Sequence, residues 1–161
     1  MVFYMEYPSP VGNLLLTCEA GALTGLWMNR EPSADMDPGS GDPLLLEASG
    51  WLDGYFAGQP APVTFPLKPA GTAFQQRVWK RLLEIPYGQV ITYGDIAREM
   101  ELETGKRMSA QAVGGAVGSN PISILIPCHR VVGAGGKLTG YAGGIHKKIW
   151  LLHHEGWKGE K

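Results

Sequence analysis

The residues best suited to chemistry in this chain stand together as Pro127-Cys128-His129-Arg130. A thiol is a strong nucleophile only as thiolate, and a neighbouring cation or histidine base draws it down from a free pKa of about 8.5. His129 is a candidate base and Arg130 a fixed cation. Successive side chains of a strand point to opposite faces, so contact between Cys128 and His129 needs a bend or a bridging water. Pro127, with fixed φ and no amide donor, makes that bend available. A lone cysteine beside an apolar segment is more often an inert core residue; here the histidine and arginine favour chemistry. Cys18 ends an apolar run and reads as core. Two cysteines make neither a disulfide framework nor a metal clip. His153 and His154 are adjacent and cannot share a helix face, so with His146 they do not read as a zinc site.

The elements that must position Cys128 follow from the apolar pattern. Residues 122–126 read as a buried strand leading into it. Residues 2–7, 13–18 and 23–28 are β-type runs separated by turn clusters. Residues 29–43 are polar and rich in Pro and Gly, a surface loop, and residues 44–56 form a helix. Residues 59–71 hold Pro60, Pro62, Pro66 and Pro69, which no helix or central strand tolerates; this is the linker. Beyond it Thr72 and Gln75 form a capping box, with Phe74, Val78, Leu82 and Ile85 as one stripe. Thr92 and Asp95 cap a short helix to Met100, and another runs over 109–117. A last helix carries Ile145, Ile149 and Leu152 and stops at Gly156.

The two short helices resemble a helix-turn-helix, with a connection, residues 101–108, longer than usual. The second contains Ala110, Ala112, Val113, Gly114, Gly115, Ala116 and Val117. Each glycine costs about 1 kcal/mol relative to alanine in a helix, so close approach to another surface must compensate. That surface is either the minor groove, about 6 Å wide, or a neighbouring helix.

Charge separates the halves. Net charge is −1, yet residues 1–70 hold two basic and eight acidic side chains while 71–161 hold twelve basic and seven acidic. Only the second half suits a polyanion. Hydrophobic residues make up 44 %, enough for a core, and no stretch matches the roughly 18 apolar residues of a membrane span. The start of the chain lacks the basic region of a secretory signal. A cytoplasmic protein is expected, or a nuclear one in a eukaryote.

Ile126-Pro127-Cys128-His129-Arg130-Val131-Val132 resembles the active-site signature of the O6-alkylguanine-DNA alkyltransferases. The resemblance extends through Gly71-Thr72-Ala73-Phe74-Gln75-Gln76-Arg77-Val78-Trp79, Ile85-Pro86-Tyr87-Gly88 and Thr92-Tyr93-Gly94-Asp95-Ile96-Ala97. It continues through Leu138-Thr139-Gly140-Tyr141-Ala142-Gly143-Gly144 and Trp150-Leu151-Leu152, and reaches back to Ser9-Pro10-Val11-Gly12 and Leu23-Thr24-Gly25-Leu26-Trp27. It implies that Cys128 accepts the alkyl group, His129 takes its proton through a water, and Glu155 orients the imidazole. Asn120 holds the turn around the site, and Tyr93 donates to a guanine ring nitrogen as the purine leaves. Tyr141, Ala142 and their loop wall the alkyl pocket; the backbone near Val131 reads the guanine edge. Thr92, Gln111, Ala112, Gly114, Gly115 and Arg130 complete the substrate and DNA surface, with the lesion flipped from the stack. The implied partner is double-stranded DNA containing O6-alkylguanine, met through the minor groove by a monomer. No metal, nucleotide or organic cofactor is implied.

Two departures stand out. Gln111 occupies the position where the family usually has an arginine, losing charge and a stacking plane. The long 101–108 connection adds Lys106 and Arg107. The expected fold is α/β: a small ribonuclease-H-like sheet-and-helix domain over 1–70, and a mostly helical DNA-binding and alkyl-acceptor domain over 71–161. A single-use repair protein fits best. A non-catalytic lesion binder that flags damage is the alternative, kept open by Gln111, and a cysteine hydrolase ranks last.

Overall fold

Alternating apolar residues make the amino-terminal runs into a meander. Strands β1 (Val2–Ser9) and β2 (Gly12–Glu19) pair antiparallel, from Phe3 against Cys18 to Ser9 against Gly12, and β3 (Ala22–Met28) pairs antiparallel with β2. Ala20 and Gly21, both at positive φ, give the two-residue turn whose twist matches the strands it joins. Residues Leu14 to Cys18 of β2 are buried without a break, so this strand is covered on both faces. Helix α1 (Pro43–Phe56) starts where Asp42 accepts from the amides of Leu44 and Leu45, with proline in its first turn. It buries Leu45, Ala48, Leu52 and Tyr55.

The computed structural model describes residues 1–39, 41–141 and 143–158. They form two units, Met1–Ala70 with Pro121–Leu125, and Gly71–Asn120 with Ile126–Lys161. In the first unit the sheet order is β3-β2-β1-β4. Its edge strand β4 (Met36–Pro38) runs parallel to β1 inside the segment expected to be only a loop. Three residues ending in proline leave no alternation to read. The proline-rich segment is irregular, as expected, and its Pro66 and Lys68 backbones bond to Leu23.

Residues 122–126 are not a strand. Only Ile122 bridges, to Leu26, and the chain turns over 123–125 with Ile124 at φ +71. An apolar run reads alike whether it is a buried strand or a buried turn. A β-branched residue in the left-handed region costs roughly 1–3 kcal/mol. Burial of Ile124 and the bonds from Leu26 N to Pro121 O and Ser123 N to Leu26 O hold it there.

In the second unit α2 (Ala73–Leu82) opens with the Thr72/Gln75 capping box. Helix α3 (Tyr93–Thr104) opens with a Thr92/Asp95 box, and α4 (Ala110–Gly118) with Ser109 accepting from Ala112 N. Because α3 runs on to Thr104, the connection to α4 is 105–109, shorter than the 101–108 expected. Residues 101–104 belong to the helix, and Lys106 and Arg107 stay in the connection. Trp79 Nε1 donates to Ala116 O at 2.8 Å, and Arg81 grips Glu99 through two bonds, tying α2 to α4 and α3. A short parallel pair, β5 (Ile91–Thr92) with β6 (Val131–Val132), and α5 (Ile145–His154) complete the unit. Among the described residues no helix is long and apolar enough to cross a membrane.

Candidate active site

Pro127 follows the 123–125 turn, and Cys128–Arg130 wind one 3-10 turn, closed by Arg130 N to Pro127 O and preceded by the bond from Cys128 N to Ile126 O. This is the bend the sequence requires. It buries Cys128 to 6 % exposure and His129 completely. Asn120, itself buried, donates from Nδ2 to Ile126 O at 2.8 Å, fixing the carbonyl that receives the Cys128 amide.

Glu155, at the carboxyl end of α5, is the hub behind the turn. Its carboxylate accepts from His129 Nε2 at 2.6 Å, from Arg130 Nε at 2.8 Å and Nη2 at 3.1 Å, and from Gly88 N at 3.2 Å. Gly88 sits at φ +83, and a Cβ there would lie 3.0 Å from Glu155 O, so the turn after α2 needs glycine on two counts. Arg130 also donates from Nη1 to Ile85 O at 2.7 Å, and its guanidinium lies over the Tyr87 ring. The Ile85 to Gly88 motif therefore supports this carboxylate. Burial alone would raise the Glu155 pKa; the bonds and charges of His129 and Arg130 outweigh it and hold the carboxyl well below its usual range.

With Nε2–H committed to Glu155, the lone pair of His129 falls on Nδ1, which is buried and has no hydrogen-bond partner among the described residues. Burial pushes the His129 pKa below its usual value, and Glu155 pulls the other way. At neutral pH the ring is an uncharged base. Burial raises the Cys128 thiol, while Asn120, Tyr141 and the positive charge of Lys148 draw it back. Cys18 is the contrast: burial pushes it up to about 11, and the facing Asp42 carboxylate adds to the rise. Both thiols are buried, and the sign of their neighbours separates them.

Beside the turn lies a groove of about 870 Å³ lined by Tyr93, Gln111, Gly114, Thr139 and Tyr141 among others. Tyr141 lines this groove and is also one of the groups that draw the Cys128 thiol down. Gln111, Ala112 and Gly115 are exposed on α4. A Cβ on Gly115 would meet nothing within 4 Å, and one on Gly114 would rest in ordinary contact with the Tyr93 ring. Internal helix packing thus does not account for these glycines. Thr92 caps α3 and lines the groove. Val131 presents its carbonyl to Lys148. Arg130 is expected on the substrate surface from sequence, and the structure instead places its side chain on Glu155. Ala142 lies outside the described residues.

Sequence reasoning missed Lys148, Thr139 and Arg98. Arg98 adds a cation to the groove wall, and Thr139 donates to Tyr93. Lys148 is fully buried. The signal was in α5: Lys148, Leu151, Leu152 and Glu155 recur at i, i+3, i+4 and i+7, an amphipathic stripe with two charges on its buried side. The stripe expected through Ile145 is displaced, since Ile145 is 40 % exposed. His146, His153 and His154 sit on the other side of α5 with Trp150, and no metal-binding cluster forms among the described residues.

A helix-turn-helix unit that carries a buried cysteine followed by a His129–Glu155 pair, together with an open groove, is the arrangement of a protein suited to nucleophilic chemistry on a large ligand. Residues 73–157 match the family of the 6-O-methylguanine DNA methyltransferase DNA-binding domain, and residues 2–69 match its ribonuclease-like domain. The methylated-DNA–protein-cysteine methyltransferase of Mycobacterium tuberculosis is 46 % identical over 161 residues, covering 96 % of this chain and 93 % of that one. The Haemophilus influenzae protein of the same name is 41 % identical, covering 96 % and 86 %. The crystal structure of Mycobacterium tuberculosis OGT in complex with DNA superposes with a TM-score of 0.83 at 46 % identity, covering 95 % and 92 %. The chain belongs to the 6-O-methylguanine DNA methyltransferase family.

Proposed function

We propose that this protein repairs DNA by taking the alkyl group of O6-alkylguanine onto Cys128, irreversibly and once per molecule. The setting of the thiol carries this reading. Cys128 is buried at the start of a 3-10 turn whose leading Ile126 carbonyl is held by Asn120, next to a histidine whose free nitrogen lone pair is fixed by Glu155.

Helix α4 enters the minor groove, with Gly114, Gly115 and Ala112 allowing close approach, and Gln111 fills the gap left by the flipped base. His129 Nδ1 takes the thiol proton through a bridging water. The sulfur forms its bond to the alkyl carbon as the carbon–O6 bond breaks, and the electron pair passes into the purine. Tyr93 donates to a ring nitrogen and stabilises that charge. The proton that the thiol gives up is matched by the one guanine regains. Tyr141 and its loop wall the alkyl pocket, and the backbone at Val131 meets the guanine edge. The thioether product is not readily cleaved, and the chemistry calls on no cofactor. Residues 71–161 carry DNA binding and alkyl acceptance, with 1–70 as a supporting domain of a monomeric, cytoplasmic protein.

Intact-protein mass spectrometry after mixing with an O6-methylguanine oligonucleotide tests the reading. One methyl, mapped to Cys128 and absent from Cys18, is expected. Tight binding of the lesion with no mass change would instead mark a non-catalytic lesion binder.

A further inference from the structure

Lys148 has no place in that mechanism, yet it is among the most deeply buried charges of the chain. Its side chain is wholly inaccessible, and among the described residues it forms no ion pair. An ammonium so placed needs fixed partners to offset lost hydration. Its Nζ donates to Val131 O at 2.6 Å, lies 3.5 Å from the Tyr93 hydroxyl oxygen, and stands 5.8 Å from the centre of the Tyr93 ring. Thr139 Oγ1 donates to the same hydroxyl oxygen at 3.3 Å. A phenol has one proton to give, and its oxygen accepts from other donors. Two donors on that oxygen leave its own proton to be directed elsewhere, and Tyr93 and Thr139 both line the groove. Burial draws Lys148 down to about 8, against the pull of the facing Cys128. At pH 7 it remains an ammonium and so a donor.

We propose that Lys148, aided by Thr139, is a positioning residue for the leaving-group side of alkyl transfer. The pair orients the Tyr93 hydroxyl as a donor toward the departing guanine. Lys148 also anchors the Val131 carbonyl at the guanine edge. The inference rests on the repair reading above. It gives α5 two duties on one face: Glu155 sets the base for the nucleophile, and Lys148, seven residues earlier, sets the donor for the leaving group.

The test compares two electrophiles for the same thiol in the full-length protein. Free O6-benzylguanine has a purine leaving group that must meet Tyr93; iodoacetamide has none. In Lys148→Met, transfer from O6-benzylguanine should slow about ten- to hundredfold, the scale of losing a donor to developing charge. Carboxamidomethylation of Cys128, which loses only the help that the Lys148 charge gives the thiolate, should slow clearly less, so the ratio of the two rates should fall about fivefold or more. In a Tyr93→Phe background Lys148→Met should add little, because the two act as one unit. Thr139→Val should slow transfer in the same selective way, by less, and it carries the test if Lys148→Met fails to fold. Equal slowing with both electrophiles, or effects that multiply with Tyr93→Phe, would overturn the role of Lys148. A wild-type protein that reacts with iodoacetamide but never with an O6-alkylguanine would overturn the repair reading itself.

Discussion

The Glu155 cluster and the exposed face of α4 lie in the same unit and are built by opposite rules. In the cluster each group is set by another: Glu155 accepts from His129, Arg130 and Gly88, Arg130 also reaches Ile85, and Asn120 holds Ile126. On α4 the exposed positions are Ala110, Gln111, Ala112, Gly115 and Gly118, all uncharged, and a Cβ at either glycine would meet nothing. The cluster is over-determined from within. The helix face is under-determined from within, so its composition answers to something outside the molecule. Substitutions in the cluster should therefore damage chemistry and fold together, whereas those on α4 should change DNA binding and leave or improve stability.

The largest effect falls on Cys128. Cys128→Ser should abolish methyl transfer while lesion DNA is still bound, because the hydroxyl is nearly isosteric and far less nucleophilic. Cys18→Ser should still be methylated at Cys128. Transfer surviving in Cys128→Ser, read by mass spectrometry, would place the nucleophile elsewhere.

Glu155→Gln comes next and tests the claim of over-determination. It leaves a buried guanidinium without its carboxylate, a change worth about 3–5 kcal/mol, and frees the imidazole, so transfer should fall with stability. The pH dependence has a definite sign. Because the folded Glu155 pKa is depressed, its contribution is complete above the unfolded value of about 4.3 and is lost as pH falls through the folded one. The depressed His129 pKa acts the same way below about 6.5, where the unfolded chain takes up a proton first. Urea melts at pH 4 and pH 2, the window in which the Glu155 contribution is lost, should show a smaller loss on acidification in Glu155→Gln than in the wild type. An equal loss would mean the carboxylate is not the acid-sensitive group.

The two regions were not equally legible in the sequence. The Cys128 motif, the caps at Thr72 and Thr92, and the glycines of α4 are local signals that survive folding. Glu155 drew attention through resemblance alone, since its partners lie 25 and 26 residues away. The turn at 123–125 was hidden because burial, not extension, made residues 122–126 apolar. Lys148 was hidden because a lysine on a helix is read as solvated unless its register against Leu151, Leu152 and Glu155 is followed. Arg130 was misplaced because sequence supplies its charge without its direction, which Glu155 decides.

On α4 the expected changes are smaller and of separable sign. Gln111→Arg should speed repair of duplex DNA several-fold, since guanidinium adds attraction to the strand and a stacking plane. Reaction with free O6-benzylguanine, which needs no flipping, should be unaffected. Gln111→Ala should slow only the duplex reaction. Equal changes on both substrates would assign Gln111 to the pocket and end its gap-filling role.

The smallest effect is the sharpest test of the comparison. Gly115→Ala should stabilise the protein by up to about 1 kcal/mol, because alanine is the better helix former and the new methyl meets nothing inside. The same methyl would stand on the surface that approaches the minor groove, so affinity for duplex DNA should fall, by about tenfold for a loss of 1.4 kcal/mol. Reaction with free O6-benzylguanine should be untouched. Chemical denaturation, DNA titration and the free-base rate, measured on one variant, give three independent signs. Lower stability would mean that Gly115 is required by the fold after all. Higher stability with unchanged DNA affinity would mean that α4 does not make the close approach, and the reason for two adjacent glycines would have to be sought in another contact.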